Sequence, residues 1–235
     1  MTKALYMDDS YLKEFEATVV SIKNDKFVVL DQTAFYAQGG GQPCDTGILK
    51  LNDEEFKVVF VGKFEGEISH EVDKAGLNVG DKVKGIIDWN KRYSLMKSHT
   101  VAHIISGILN KETGALITGN QLKEGQIRVD FDLESFNKDE FQKYIDLTNK
   151  ALQQNLEVKT YYLKREEAMK IQGIVKLAGA LPPSIDILRI VEIGTVDLSA
   201  DGGTHVKNTC EIGVVSFLKY ESKGKNNRRV YLEIK

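Results

Sequence analysis

The first third of the chain is made of short runs in which β-branched and aromatic residues predominate. Turn residues separate these runs, among them Asn24-Asp25, Asn52-Asp53 and Gly66. The runs predict strands at residues 16–22, 26–30, 48–51, 56–61, 67–72 and 82–88. Many short strands joined at regular intervals by turns are typical of a small barrel or sandwich.

The hydrophobic pattern changes near Asp88-Trp89. Apolar residues fall at helical spacing from 90 to 109, and Thr113-Gly114 ends this predicted helix. A second helix is predicted over 137–156, with Asn137 as its N-cap and Glu140 three residues later. Further strands are predicted near 126–132, 185–193, 214–220 and 229–234. Because these elements do not alternate regularly, we predict an α+β fold, with a β-barrel-like domain at 1–88 and an α+β domain at 89–235.

Composition narrows the class of protein. The chain has 235 residues, of which 42% are hydrophobic, and a formal net charge of -2, so no strong basic field points to nucleic acid. Its two cysteines are far apart in sequence, which argues against a disulfide framework. No apolar run has the length of a signal peptide or membrane span. We therefore expect a cytoplasmic protein with no membrane partner.

Histidine is scarce, and three of the four copies lie in two short segments. In His99-Thr100-Val101-Ala102-His103, two imidazoles at i and i+4 share one face of the predicted helix. In Asp201-Gly202-Gly203-Thr204-His205, a carboxylate and an imidazole flank a Gly-Gly turn. Three nitrogens and one oxygen form a suitable four-ligand zinc set. We therefore predict one zinc ion per chain, bound by His99, His103, Asp201 and His205.

Other interpretations of these residues remain open. Cys210 is a rival fourth ligand, although we favour a small buried apolar residue in a strand. Asp201 is alternatively a turn residue that caps the Gly-Gly backbone, which would leave three imidazoles and a water at the metal. We interpret His70, which has no ligand-like neighbour in the β region, as a surface residue.

These two segments resemble the zinc motifs of the alanyl-tRNA synthetase editing domain, which also exists free-standing as the trans-editing AlaX proteins, here of the medium-length type. That family usually has cysteine where this chain has Asp201. The resemblance runs from about Thr33 to Tyr231. Its supporting matches are Gly39-Gly40-Gly41-Gln42-Pro43, Asp45, Gly47, Asp88-Trp89, Gly119-Asn120-Gln121, Arg128-Val129-Asp130-Phe131, Thr209-Cys210-Glu211-Ile212-Gly213, Lys223-Gly224 and Arg228-Arg229.

The resemblance implies a synthetase-like editing fold at 89–235. It also implies zinc-dependent hydrolysis of the ester that joins serine, or glycine, to the 3′-terminal adenosine of mischarged tRNA(Ala). No ATP is required. Thr100 would provide a hydroxyl partner for the substrate, or else bond back to its own helix. The backbone N–H groups of Gly202 and Gly203 would face the oxyanion, or the two glycines only let the chain turn. Further substrate contacts are expected from Gln42, Asp45, Gln121, Thr204, Arg228 and Arg229.

RNA binding must come from local basic patches, since the net charge is near zero. The candidates near the C-terminus are Lys219, Lys223, Lys225, Arg228 and Arg229, and those just before the metal-binding histidines of the helix are Lys91, Arg92 and Lys97. Each is alternatively part of a solvated basic turn. The rival functions are a non-catalytic, zinc-stabilised tRNA-binding protein and a broad metal-dependent esterase. The pattern leaves open whether the protein is a monomer or a dimer.

Overall fold

The structure is a computed structural model that describes residues 2–135, 137–171, 173–174 and 185–235. It consists of two compact units, Met1–Ser94 and Leu95–Lys235. The dividing point lies inside the long helix α1 (Trp89–Thr113), whereas the sequence analysis divided the chain at the start of this helix. The assignment of separate functions to 1–88 and 89–235 stays a prediction. Within the described residues, no helix combines the length and the hydrophobicity needed to cross a lipid bilayer.

The first unit is built around a closed barrel of six strands, which confirms the predicted barrel. In spatial order these are β2 (Glu14–Lys23), β3 (Phe27–Leu30), β7 (Glu67–Val72), β6 (Glu54–Phe64), β5 (Gly47–Leu51) and β8 (Lys82–Ile87). A short parallel pair, β1 (Lys3–Ala4) with β4 (Gln32–Thr33), lies beside it, and a 3-10 turn follows β1 at Leu5–Met7. At the predicted turn between β2 and β3, Asn24 and Asp25 both adopt positive φ, as tight hairpins require.

His70 lies inside the barrel, so its predicted surface position is wrong. Along β7 the buried positions are Ile68, His70 and Val72, because alternate residues of a strand face the same side. The imidazole Nε2 is 2.8 Å from Thr33 Oγ1, and Nδ1 is 3.0 Å from the Val28 carbonyl oxygen. Two hydrogen bonds thus offset the cost of burying this polar ring.

The second unit contains α1 from Leu95 onward and two antiparallel sheets, which confirms the predicted α+β class. The four-stranded sheet has the order β14 (Val215–Ser222), β15 (Arg228–Ile234), β10 (Gln126–Phe131) and β9 (Ile117–Lys123). The three-stranded sheet has the order β11 (Val158–Lys164), β12 (Ile187–Ile193) and β13 (Asp197–Ala200). The remaining elements are α2 (Lys138–Gln153), α3 (Arg165–Ala168) and a 3-10 turn at Thr209–Glu211.

Helix α2 packs on one face of the four-stranded sheet. The rings of Phe141 and Phe217 lie 5.6 Å apart, and the Asn149 side-chain amide bonds both backbone groups of Val215 at 2.8–2.9 Å. Asn137 is the N-cap as predicted, since its side-chain oxygen accepts from the N–H groups of Asp139 and Glu140. We call the face that carries Phe217, Val230 and Leu232 the inner face of this sheet.

Candidate metal centre

Helix α1 provides two of the imidazoles. His99 and His103 are one helical turn apart, and their ring centroids are 5.0 Å apart. His99 is buried, as are Met96, Val101 and Ala102 of the same helix. The i, i+4 spacing thus aims both rings to the same side of α1, as the sequence predicted.

The segment after β13 provides the carboxylate and the third imidazole. The backbone N–H of Asp201 donates to the carbonyl oxygen of Arg189 on β12 at 3.0 Å, and Arg189 Nη1 donates back to the Asp201 carbonyl oxygen at 3.0 Å. These two bonds hold the turn against β12. His205 follows, with its ring 4.5 Å from that of His99 and 4.8 Å from that of His103.

The three imidazoles converge on one carboxylate. Nε2 of His205 is 3.0 Å from Asp201 Oδ2, while Nε2 of His99 and of His103 are 3.7 and 4.0 Å from Asp201 Oδ1. One ligand atom from each of the four residues lies within 4.8 Å of the others. Tetrahedral zinc, with bonds of about 2.0–2.2 Å, places its ligand atoms roughly 3.3–3.6 Å apart. The donor set and its convergence on one centre therefore fit a metal ion.

Hydrogen bonds to Nδ1 direct two of the rings. His103 Nδ1 is 2.9 Å from Asp197 Oδ2, which also accepts from Ser199 Oγ at 2.9 Å. His205 Nδ1 is 3.2 Å from Thr100 Oγ1. An acceptor at Nδ1 places the proton there and leaves the Nε2 lone pair for a metal. The carboxylate of Asp197 and the hydroxyl of Thr100 thus prepare both rings for binding.

Thr100 is more heavily engaged than the sequence analysis expected. Its hydroxyl donates to the Met96 carbonyl oxygen at 2.9 Å, and it accepts from the Val206 N–H at 3.3 Å in addition to its contact with His205. A hydroxyl has one donor and two acceptor sites, so these contacts use all three. The side chain bonds back to its own helix, which is the alternative predicted for it, and it also supports His205. A direct contact of this hydroxyl with substrate stays a prediction.

The backbone of Gly203 bonds the Asp201 carboxylate in this structure. Its N–H donates to Asp201 Oδ2 at 2.6 Å, so Asp201 caps the Gly-Gly turn while it faces the imidazoles. A Cβ at this position would overlap the His99 ring, which explains the need for glycine. The predicted oxyanion role of the Gly203 N–H conflicts with this hydrogen bond. The exposed Gly202 keeps that role as a prediction.

Burial keeps the imidazoles of His99 and His205 neutral. It lowers the pKa of His205 to about 4, and it lowers the pKa of His99 well below its usual value. Burial by itself would raise the pKa of Asp201, but the imidazoles that face its carboxylate, His99 foremost, hold that pKa well below its usual value. Neutral imidazole and ionised carboxylate are the forms that bind metal, so no proton has to be removed near pH 7.

The centre is open on one side. The side chains of His99 and His205 are 3% and 2% exposed, whereas those of His103 and Asp201 are 12% and 19% exposed. Gly202 is exposed next to Asp201. A substrate or water therefore reaches the centre from the Asp201 side.

Cys210 does not belong to this cluster. It is an exposed free thiol in the 3-10 turn Thr209–Glu211, so its predicted place as a buried residue in a strand is wrong. The turn has its own capping box, in which the Asn208 side chain bonds the Cys210 N–H and Glu211 bonds back to the Asn208 N–H. This local capping, rather than an apolar environment, sets the position of Cys210.

Two expected substrate residues of the first unit are buried there. Gln42 is 1% exposed and closes a tight turn by backbone hydrogen bonds with Gly39. Asp45 is fully buried, where it accepts from the Tyr36 N–H at 2.6 Å and forms an ion pair with Arg92. Arg92 is fully buried too, so it is a structural ion-pair partner and not the phosphate contact that its sequence position suggested.

The expected substrate residues of the second unit are dispersed. Thr204 is buried between Gly203 and His205, whereas Gln121 is exposed on β9. Arg229 binds both oxygens of Asp130 at 2.8 Å, and Arg228 donates to carbonyl oxygens of the β14–β15 turn, including that of Gly224 at 2.6 Å. Both arginines therefore have structural partners, and their contacts with substrate stay predictions.

Sequence reasoning missed Asp197 and Arg189. Asp197 is four residues before Asp201, but β13 was not predicted and nothing in the local pattern distinguished this aspartate from a turn residue. Arg189 lies at a buried position of β12, where a charged residue in a strand with an apolar pattern was the available signal.

Comparisons with known proteins agree with this geometry. Residues 4–91 match the family described as tRNA synthetases class II (A), and residues 188–231 match the family described as threonyl and alanyl tRNA synthetase second additional domain. The second match includes Asp197, Asp201 and His205.

Relatives match the full length of the chain. It is 50% identical to the alanyl-tRNA editing protein AlaX-M of Methanosarcina barkeri, over 100% of this chain and 99% of that protein. It is 49% identical to the protein of the same name in Saccharolobus solfataricus, over 100% of both. An alanine--tRNA ligase of Thermofilum pendens is 38% identical over 94% of this chain but over 24% of its own length. The chain thus belongs to the AlaX-M family of alanyl-tRNA editing proteins.

Proposed function

We propose that this protein is a zinc-dependent aminoacyl-tRNA deacylase that hydrolyses serine, and secondarily glycine, from mischarged tRNA(Ala) in trans. Family membership supports the editing role. The observation that carries the proposal is the convergence of His99, His103 and His205 on Asp201 through their Nε2 atoms. A cytoplasmic location and a monomeric or dimeric state remain predictions.

The residues of the centre have different proposed roles. His99, His103 and His205 would hold the ion, with Asp201 as the fourth ligand. Thr100 and Asp197 act as positioning residues, because each fixes the orientation of one imidazole. The chemistry that a bound zinc ion supplies is Lewis-acid polarisation of an oxygen. We propose that the ester is held at the Asp201 side, where Gly202 is exposed, and that the Gly202 N–H donates to its carbonyl oxygen.

Discrimination between serine and alanine depends on one hydroxyl group. A site that hydrogen-bonds such a hydroxyl rejects the analogue lacking it by about 10⁴–10⁵-fold in favourable cases. The three described contacts of Thr100 make it an indirect contributor, since a direct bond to serine would require one of them to break. We propose that Thr100 affects hydrolysis through His205 and that the partner of the serine hydroxyl lies elsewhere in the site.

The deciding experiment is a deacylation assay on seryl-tRNA(Ala) and alanyl-tRNA(Ala), with zinc and after chelation. We expect the zinc-loaded protein to release serine, to spare alanine, and to lose activity with chelator while it stays folded. His103→Ala should reduce the rate constant by at least about 100-fold, since it removes a ligand. Cys210→Ser is the matched control and should keep full activity, because this exposed thiol lies outside the cluster.

The same assay separates the rival functions. A zinc-loaded protein that releases serine no faster than buffer would rule out the enzyme. Unfolding on chelation together with tRNA binding would favour a zinc-stabilised binding protein. Equal hydrolysis of free seryl methyl ester and seryl-tRNA would favour a broad esterase.

A further inference from the structure

We infer that the outer face of the four-stranded sheet binds an unpaired, single-stranded segment of RNA, with one base stacked on Tyr231. The inference rests on the proposed function, since it assigns the unpaired acceptor end of the tRNA substrate to this surface. It concerns a cross-strand set that we call the Tyr231 row: Lys219, Tyr231, Arg128 and Gln121.

The strand register places these four residues side by side. Lys219 pairs with Tyr231, Tyr231 with Arg128, and Arg128 with Gln121, one from each of β14, β15, β10 and β9. Strands are about 4.8 Å apart, so the row extends roughly 14 Å across the sheet. Because strand residues alternate in direction, Tyr231 faces away from Val230, Leu232 and the side on which α2 packs.

The row combines an aromatic ring with two flanking cations. Lys219 Nζ is 4.4 Å from the centroid of the Tyr231 ring, and the side chain of Lys219 is 60% exposed. A shallow cavity of about 70 Å³ opens beside the ring, lined by Gln121, Lys123, Arg128, Leu218 and other residues of the sheet. The Tyr231 ring is partly exposed, and its hydroxyl lies 3.4 Å from Glu221 Oε2. A partly exposed aromatic ring on an inner strand of a four-stranded antiparallel sheet is suited to stacking an unpaired base.

The charges around the row favour an anion. The neighbouring carboxylates are already neutralised: Asp130 by Arg229 at 2.8 Å, and Glu221 by Lys219 at 2.7 Å and Lys223 at 3.0 Å. Within the Tyr231 row itself there is no acidic residue. The row therefore presents positive charge on both sides of the ring, which suits the phosphates that flank a stacked base.

Arg128 carries a guanidinium N–H that no described residue accepts. Its Nε is buried and has no hydrogen-bond partner among the described residues, and it lies 3.6 Å from Asp130 Oδ1, an oxygen that Arg229 holds at 2.8 Å. Its Nη atoms reach only neutral oxygens, at 3.3 Å on Gln121 and 3.4 Å on Asn120. A phosphate oxygen would be a stronger partner for this guanidinium than either amide.

The row also connects to the metal centre through β9. Ser98 Oγ donates to the carbonyl oxygen of Lys123 at 2.9 Å, and Ser98 is next to the ligand His99 on α1. The β9 end of the sheet is thus bonded to the helix that carries two metal ligands. A strand lying along the row toward β9 would approach that helix.

The test measures binding of an ester-free probe, so no hydrolysis is involved. The probe is a fluorescein-labelled single-stranded hexaribonucleotide ending in adenosine, titrated by fluorescence anisotropy into the zinc-loaded protein. We expect Tyr231→Ala to weaken binding by about 5- to 100-fold, and Tyr231→Phe to stay within about twofold because it keeps the ring. Arg128→Gln should weaken binding and lower the slope of log Kd against log salt by about one.

Matched controls separate binding from folding. Tyr220→Ala removes an exposed tyrosine of the same sheet that pairs with Val230 and so faces the inner side. It should leave the Kd within about twofold, and all variants should keep the parent's melting temperature within a few degrees. The same strand presented in a duplex should bind more weakly, since its bases are not free to stack.

Two results would overturn the inference: a Kd for Tyr231→Ala equal to that of Tyr220→Ala, or no binding of the hexaribonucleotide by the parent up to about 1 mM. Neither bears on whether the protein hydrolyses seryl-tRNA, which the chelation assay decides separately. If the protein does not hydrolyse seryl-tRNA but Tyr231→Ala weakens binding of the probe, the RNA-binding surface is supported and the proposed enzyme activity is ruled out.

Discussion

At the scale of single residues, the histidine spacing was the strongest signal in the chain. Two i, i+4 segments predicted a four-ligand cluster, and the structure brings the same four residues together. The partners that orient the rings had no such signal. In the sequence, Thr100 was singled out only because it is next to His99, and Asp197 was not singled out. Hydrogen bonds between distant parts of the chain leave no local sequence pattern.

The role of Thr100 can be tested by removing its hydroxyl. Thr100→Val keeps the shape but removes the acceptor for His205 Nδ1, so zinc affinity should fall by about 10- to 100-fold. Hydrolysis of serine and alanine esters at subsaturating zinc should fall in proportion, which leaves their ratio unchanged. Zinc affinity is measured by competition with a fluorescent chelator, and Thr100→Ser should behave like the parent. If the ratio of serine to alanine hydrolysis rates falls while zinc affinity is unchanged, the result would instead support a direct contact of Thr100 with the substrate.

At the scale of elements, α1 and the β12–β13 hairpin form the frame of the metal centre. Gly107, one turn beyond His103, lies where a Cβ would be 2.5 Å from the Val196 carbonyl oxygen and 3.0 Å from Asp197 Oδ1. The glycine thus allows the hairpin to approach the helix closely enough for Asp197 to reach His103. The sequence predicted the helix but not β13, so it could not predict the contact between Asp197 and His103.

Gly107→Ala tests the close approach of these elements. In an open helix this change would stabilise by about 1 kcal/mol, but here we expect destabilisation of roughly 1–3 kcal/mol, because backbone must move. Zinc affinity should also fall as Asp197 is displaced. The control is Ser106→Ala, next in sequence: its buried Oγ has no partner among the described residues, so its removal should be neutral or stabilising in urea denaturation. A stabilised Gly107→Ala variant would refute the contact.

At the scale of the whole molecule, the spacing of hydrophobic residues along the chain predicted a barrel followed by an α+β part. Period two with regular turns predicted the barrel, and the later helical spacing predicted α1 and α2. In the second unit the missed strands are β9, β11 and β13. β9 is rich in polar residues and β13 has four residues, so their pairing rather than their hydrophobic pattern makes them strands.

Stability of the whole protein should depend on pH through His70. Burial lowers the pKa of His70 to about 4, so the folded protein keeps it neutral while the unfolded chain protonates it below its ordinary 6.5. The stabilisation is therefore complete above pH 6.5 and is lost as pH falls toward 4, by about 3 kcal/mol. The free energy of unfolding is measured by urea denaturation between about pH 4 and 6.5, for the chelated parent protein and for His70→Gln. The slope of this free energy against pH should be smaller in the variant by the equivalent of up to one proton. Equal slopes would contradict the assignment.

The sequence by itself determined the fold class, the helix with two imidazoles and the identity of the four clustered residues, because hydrophobic period and residue spacing are local properties. Only the tertiary structure decided the environment of each polar group. It buried His70 and Arg92, exposed Cys210, and gave the hydroxyl of Thr100 to His205. Whether a side chain faces water, a metal or a hydrogen-bond partner depends on which distant segments pack beside it, and no local pattern records that.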